Sequence, residues 1–250
     1  MINKILLIVL FVNFSHVFAQ PEETVRSILI IDCPTAGSLD RGSYLVGIQA
    51  YENGGILGNI MVGLTDRFML GIFYGGTNLI GSGPVDWNPM VGVLVRYRLF
   101  EEQLLFPAIS LGFDNQGRGA YIDSLKRYMD KSKGLYAVAS KSFRFLGTMA
   151  LHGGMNYSFE GQKEDKDVNL FFGIEKSINN EIGIYMEYNL GLNDNEDGSI
   201  GYGKGYLNAG LKWAFQGRFF IDFLWKDILK NNTHNQNSSR EIRISYVEYF

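Results

Sequence analysis

Apolar residues recur at every second position in short segments of about ten residues, and the connections between these segments alternate between tight and long. The segments cover residues 43–52, 56–64, 68–75, 90–99, 106–113, 134–143, 147–158, 168–178, 182–191, 205–214, 218–228 and 240–250. Residues 65–67, 100–105, 144–146, 179–181 and 215–217 form tight connections. Residues 76–89, 114–133, 159–167, 192–204 and 229–239 form longer, polar ones. Only the Asn53-Gly54-Gly55 turn breaks the alternation. A period of two is that of a strand with two unlike faces. Tight turns at one rim and long loops at the other are the asymmetry of a membrane-spanning barrel. The predicted fold is all-β, a transmembrane antiparallel β-barrel of about twelve strands, with ten or fourteen as the alternatives. An even number returns both chain ends to the same rim.

Side-chain parity gives a second constraint, because a slip of one residue in a hairpin moves every side chain to the opposite face. With three-residue turns, Ile60, Val62 and Leu64 share a face with Phe68, Leu70, Ile72 and Tyr74. Ile174 and Ile178 match Ile182, Ile184, Met186 and Tyr188. Leu211 and Trp213 match Phe219, Ile221, Phe223 and Trp225. Gly217 is expected as the third residue of its turn, where a left-handed conformation is needed. A soluble sandwich or lipocalin-like barrel would turn these apolar rows inward. Small or polar residues opposite the rows favour the outward, lipid-facing arrangement.

The chain ends agree with that arrangement. Lys4, the apolar run 5–14 interrupted only by Asn13, and Val17-Phe18-Ala19 have the order of a signal peptide, with cleavage expected near Ala19. The expected organisation is a signal peptide at 1–19, a periplasmic N-terminal segment at 20–42 and the barrel at 43–250. The expected location is the outer membrane of a Gram-negative-type bacterium. Tyr246 and Phe250 lie on one row of the last segment, and an aromatic terminal residue there resembles the signal that outer-membrane barrels present to their assembly machinery. No run of about eighteen apolar residues follows the leader, so no helix is expected to span a membrane. The abundant Gly (30), Phe (18) and Tyr (14) against only 5 Pro suit curved strands with aromatic girdles. The net charge of −3 argues against nucleic acid as a partner. Cys33 is the single cysteine, which excludes an intramolecular disulfide and a cysteine-based zinc site; it follows Asp32 and lies too far from the leader for a lipid anchor.

Inside the predicted barrel, Arg96, Arg98, His152, Glu175, Glu187, Lys212, Asp222, Lys226 and Arg243 face the lumen. Lys212 is expected diagonal to Asp222, and Glu175 diagonal to Glu187. The favoured reading is a filled lumen whose charges neutralise one another; a polar pathway or binding site is the alternative. Residues 20–42 are expected either as a short periplasmic strand or tucked into the barrel mouth.

Three other features have bland readings that outweigh sharper ones. His152, Asn156 and Ser158 supply residue types of a nucleophilic site, but Ser158 is about 20 Å along the same strand from His152 and nothing marks another serine. No catalytic residue is therefore assigned, and a hydrolase using His152 is the enzyme alternative. The loop 193–200 has part of a calcium-loop spacing, but Lys204 stands where a bidentate Glu is needed, so a solvated acidic loop is expected. Neither a metal nor a cofactor is expected. Trp87 is a candidate for stacking on a sugar, or an interface anchor.

Several segments resemble barrels related to YjbH: Pro34-Thr35-Ala36-Gly37 with Arg41-Gly42-Ser43-Tyr44, Val62-Gly63-Leu64-Thr65-Asp66-Arg67, Tyr97-Arg98-Leu99, and Ala137-Val138-Ala139-Ser140-Lys141. The likeness covers most of the chain after the leader. It implies an envelope barrel linked to exopolysaccharide production or export and implies no catalytic residues. The expected function is a non-enzymatic outer-membrane barrel assisting exopolysaccharide export or small-solute passage. A lipid- or glycan-modifying enzyme and a structural or adhesion barrel are the alternatives. Expected partners are outer-membrane lipids, the barrel-assembly machinery and polysaccharide export components.

Overall fold

The computed structural model describes residues 27–161, 165–196, 199–234 and 237–250. The expected signal peptide lies outside them. Fifteen strands follow in chain order. They are β1 (Ser43–Tyr51), β2 (Gly55–Thr65), β3 (Phe68–Thr77), β4 (Asp86–Trp87), β5 (Gly92–Phe100), β6 (Ala108–Asp114), β7 (Arg118–Ile122) and β8 (Arg127–Asp130). The rest are β9 (Gly134–Arg144), β10 (Thr148–Tyr157), β11 (Asn169–Ser177), β12 (Ile182–Asn189), β13 (Tyr206–Phe215), β14 (Phe219–Lys226) and β15 (Ser239–Tyr249). Twelve of them form the wall, each antiparallel to its neighbours: β1, β2, β3, β5, β6, β9 and then β10 to β15 in order. The pairing of β1 with β15 closes the barrel, so the wall has no free edge. The β4 stub extends the pairing of β3, and β7 with β8 forms a separate ribbon within the longest loop.

Strand ends follow local chemistry. β6 starts at Ala108 rather than 106 because Pro107 has no N–H for the ladder. The first turn places Asn53 and Gly54 at φ 56° and 62°, the left-handed pair of a type I′ hairpin, and Gly55 N–H donates to the Glu52 carbonyl. Between β13 and β14 the turn is centred one residue later than expected. Phe215 pairs with Phe219, so Gly217 (φ 67°) is the second turn residue beside Gln216 (φ 51°). Lys212 consequently stands directly opposite Asp222 and not diagonal to it. The turn still has three residues, so the faces are preserved. Glu187 pairs with Gly173, two positions from Glu175, the expected diagonal relationship.

The predicted apolar rows point away from the barrel. Ile60, Leu64, Leu70, Ile72, Ile174, Ile184, Met186, Leu211, Trp213, Phe223 and Trp225 are all exposed. Tyr246 and Phe250 lie on the same outward surface, and the Phe250 ring packs 5.1 Å from that of Tyr44. Trp87 also faces outward, stacked on Tyr74 at 5.7 Å, so it offers no platform to the lumen.

The core is the lumen itself. Residues 27–39 lie inside it. Ile30, Ile31, Cys33 and Ala36 are fully buried against Ala108, Tyr136, Val138, Phe171, Tyr185 and Leu224 of the wall. Ile28 and Leu39 pack with Met61, Met69, Phe73 and Leu94. Each buried isoleucine contributes about 1.5–3 kcal/mol. Gly173 makes the approach possible, since a Cβ there would lie 2.2 Å from Ile30 Cδ1.

Candidate functional site

The N-terminal segment enters from the rim of tight turns, where Gly42 donates to Gly63 and accepts from Phe250. Within the lumen it folds into a narrow hairpin. Leu29 bridges Pro34, Ile30 N–H donates to the Cys33 carbonyl and Thr35 N–H to that of Ile28. Ile31 and Asp32 form its tip. Backbone groups in a dry lumen must find partners, and the wall supplies them from side chains.

Glu187 on β12 serves the donors. One of its oxygens accepts Ile31, Asp32 and Cys33 N–H at 2.9, 3.0 and 2.9 Å, and the other accepts Asp32 at 3.1 Å and the Asn208 amide at 2.8 Å. Arginines serve the acceptors. Arg243 donates to the carbonyls of Ile31 (2.9 Å) and Ile30 (3.3 Å) while its Nε holds Asp222 at 2.8 Å. Arg96 donates to the carbonyls of Ile28 and Gly37, and Arg98 and Ser110 both donate to that of Ala36. Lys212 donates to the Ser27 hydroxyl at 2.7 Å.

The tip carries one charge, and the wall meets it. Asp32 pairs with Lys226 at 2.7 Å and with Arg118 at 3.6 Å. Lys226 also holds Asp130 at 2.8 Å and Glu241 at 3.5 Å. Arg118 lies in the loop ribbon, so the tip spans most of the distance from the turn rim to the loops.

All nine lumen candidates face inward. Six of them (Arg96, Arg98, Glu187, Lys212, Lys226 and Arg243) touch the plug, and Asp222 reaches it through Arg243. His152 reaches it through a serine that the sequence did not mark. Ser140 on β9 lies 2.8 Å from His152 Nδ1 and accepts Ala36 N–H at 2.8 Å. Glu175 stands 3.9 Å beyond His152 Nε2. These are the residue types of a nucleophile, base and acid, but the serine oxygen is covered by the plug's amide.

The loops close the opposite mouth. Arg127 holds Asp194 through both guanidinium nitrogens, and the Tyr206 hydroxyl donates to the same carboxylate. Asn193 and Asp194 are buried because a basic ribbon folds onto them, which corrects the expectation of a solvated acidic loop for these two residues, while Asn195 and Glu196 are exposed as expected. Among the described residues no cluster of His, Cys, Asp or Glu could hold a metal. Lys131 pairs with Asp165 at 3.2 Å, and burial pushes the lysine down and the carboxyl up from their ordinary values. Glu160 accepts Tyr128 N–H at 3.0 Å and Ser132 N–H at 3.3 Å, yet burial holds its pKa above the ordinary glutamate value. Among the described residues, cavities of about 20 and 90 Å³ lie at this end. Those volumes admit roughly one water and a handful of waters.

No family model and no curated protein sequence matches the chain. Among solved structures it is similar to a KdgM porin, with 11% identity and a TM-score of 0.49 over 83% of this chain and 99% of the porin. A NanC porin follows at 10% identity and 0.44, over 83% and 99% of the two chains. The COG4313 outer membrane channel from Pseudomonas putida F1 gives 12% and 0.43, over 84% and 97%. Likenesses this distant say nothing of what the lumen here holds or passes.

Proposed function

We propose that the chain spans an outer membrane as a barrel closed by its own N-terminal segment, and that it passes small solutes only while that segment is displaced. The closed wall with outward apolar rows supports the membrane reading, because such a surface suits lipid and not water. The observation that carries the gate is the manner in which the plug is held. Its backbone is bound by wall side chains, among them Glu187, Arg96, Arg98 and Arg243, with no described strand ladder to the wall. The plug can therefore leave without unpairing any wall strand.

A small solute needs a local gap beside the hairpin and another through the loop cap. A polysaccharide chain would need the plug and the loop cap displaced together, so small-solute passage is the favoured reading. In the closed barrel catalysis at Ser140 and His152 is disfavoured because Ala36 N–H occupies the serine oxygen.

Planar-bilayer recording of the full chain tests the gate. The wild-type barrel is expected to stay closed at low voltage, and Glu187→Ala to show openings. A steady conductance in the wild type would overturn the plug as a gate. A silent Glu187→Ala variant, folded in the same membrane, would overturn solute passage.

A further inference from the structure

We infer that the lumen wall holds an oxyanion site centred on Arg96, now filled by carbonyl oxygens of the plug. This rests on the plug being displaceable, as proposed above, and adds the chemical class of what replaces it.

Arg96 is fully buried and permanently charged. Its Nε donates to the Tyr136 hydroxyl at 2.8 Å, and one terminal nitrogen donates to the carbonyls of Ile28 and Gly37. The other terminal nitrogen, Nη2, is buried without a hydrogen-bond partner. No carboxylate lies among these partners. The acid beside it, Asp114, accepts Gln116 N–H and lies 3.8 Å from Arg118. Buried cations are ordinarily paired with an anion, so a guanidinium held only by neutral oxygens is an acceptor site filled by the weaker kind of acceptor.

The neighbouring groups extend the site. Arg98 gives its Nε to Ala36, and Arg243 gives both terminal nitrogens to Ile30 and Ile31. Arg98 and Arg243 keep one carboxylate each, Glu101 and Asp222, when the plug leaves. Arg96 keeps none. Departure of the plug also removes Asp32 from Lys226, which keeps Asp130 and Glu241, and from Arg118, which keeps Asp114. Against these stands Glu187, which loses three N–H donors and retains Asn208. Glu187 lies on β12, five strands from β5 in the order of the wall, and so faces Arg96 from the other side of the lumen. A vacated lumen therefore offers a carboxylate- or sulfate-bearing solute a planar donor fork at Arg96.

Cys33 reports plug position without any added label site. It is the single cysteine, is fully buried at the hairpin tip, and reacts with a maleimide only when the hairpin opens. The test uses the full chain in detergent micelles with citrate as probe, against chloride and spermidine at equal ionic strength. Citrate strengthens burial through its effect on water, so any acceleration it causes is specific. The expected result is that millimolar citrate speeds Cys33 modification at least about fivefold, the low end of ordinary site coupling. Spermidine should not, and Arg96→Gln should abolish the citrate effect whatever its own baseline. Equal rates in citrate and chloride, or a citrate effect that survives Arg96→Gln, would overturn the site. Should Arg96→Gln fail to fold, the citrate-against-spermidine comparison on the wild type decides alone. Glu187→Ala separates the two readings. If it exposes Cys33 while citrate does nothing, only the anion site fails; if it leaves Cys33 protected, the displaceable plug fails and the site with it.

Discussion

Both carboxylate oxygens of Glu187 accept the backbone N–H of Asp32, at 3.1 and 3.0 Å, across 155 residues of chain. The second oxygen also accepts Ile31 and Cys33. Truncation at Glu187 would strand three buried donors, each at a cost of about 1–3 kcal/mol. Glu187→Ala is therefore expected to raise the rate of Cys33 modification by about tenfold or more. Glu187→Gln keeps one acceptor oxygen and should fall between it and the wild type. Identical rates in all three would show that the clamp does not hold the tip.

Arg243 and Asp222 form a buried pair at 2.8 Å, and the arginine ties the pair to the plug. Arg243→Ala removes the hydrogen-bonded cation and leaves buried Asp222 with only Lys212 across the hairpin as counter-charge, a loss towards the low end of about 3–5 kcal/mol. Arg243→Met combined with Asp222→Leu removes both charges and should cost much less. Denaturant unfolding of the barrel in micelles, followed by tryptophan fluorescence, compares the two. A double variant as unstable as the single one would mean that the arginine's plug contacts, and not the stranded charge, dominate.

The wall was legible in the sequence because every strand has one face on each side. In β14, Phe219, Ile221, Phe223 and Trp225 face out while Phe220, Asp222, Leu224 and Lys226 face in, and the same order holds across three hairpins. The inward charges were legible for the same reason. The plug was legible only as one of two alternatives for residues 20–42, because Ile28, Ile30 and Ile31 are buried all round and carry no period. Its hydrogen bonds run to side chains more than fifty residues away, which leave no local pattern. Ser140 was hidden likewise, since a serine on an inner row looks like any small lumen residue until Ala36 and His152 meet it. Asp194 was misread because its partner Arg127 is 67 residues earlier. Lys212 and Asp222 were misplaced by two positions because turn centring, unlike turn length, leaves the parity unchanged.

The loop cap hangs on Arg127. It binds Asp194 bidentately and donates to the carbonyls of Tyr128 and Met129. Arg127→Ala would leave Asp194 with only Tyr206 and backbone Ile200 as donors. The ribbon of β7 and β8 is then expected to become sensitive to added protease while the wall stays folded, because the two share no strand pairing. Arg127→Lys keeps the charge but not the fork, and should restore protection only in part. Wild-type resistance in Arg127→Ala would place the hold of the cap elsewhere, at Lys131 or Glu160.

Glu160 gives that cap a pH dependence with a definite sign. Burial raises its pKa in the folded loop above the ordinary glutamate value of 4.5, despite its two backbone donors. A group raised in the folded state contributes stability that is complete below its unfolded value and is lost as pH rises through the folded one. Asp165 is raised for the same cause and adds to the trend. The cap is therefore expected to be tighter in mild acid and looser towards neutral pH. Hydrogen exchange at the Tyr128 and Ser132 amides, corrected for the intrinsic rise of exchange with pH, measures it. Protection should fall as pH climbs from 4.5 upward, and Glu160→Gln should flatten that dependence while Asp165→Asn removes the remainder. Protection that rises over the same interval would mean that the two backbone bonds to the ionised carboxylate outweigh its burial.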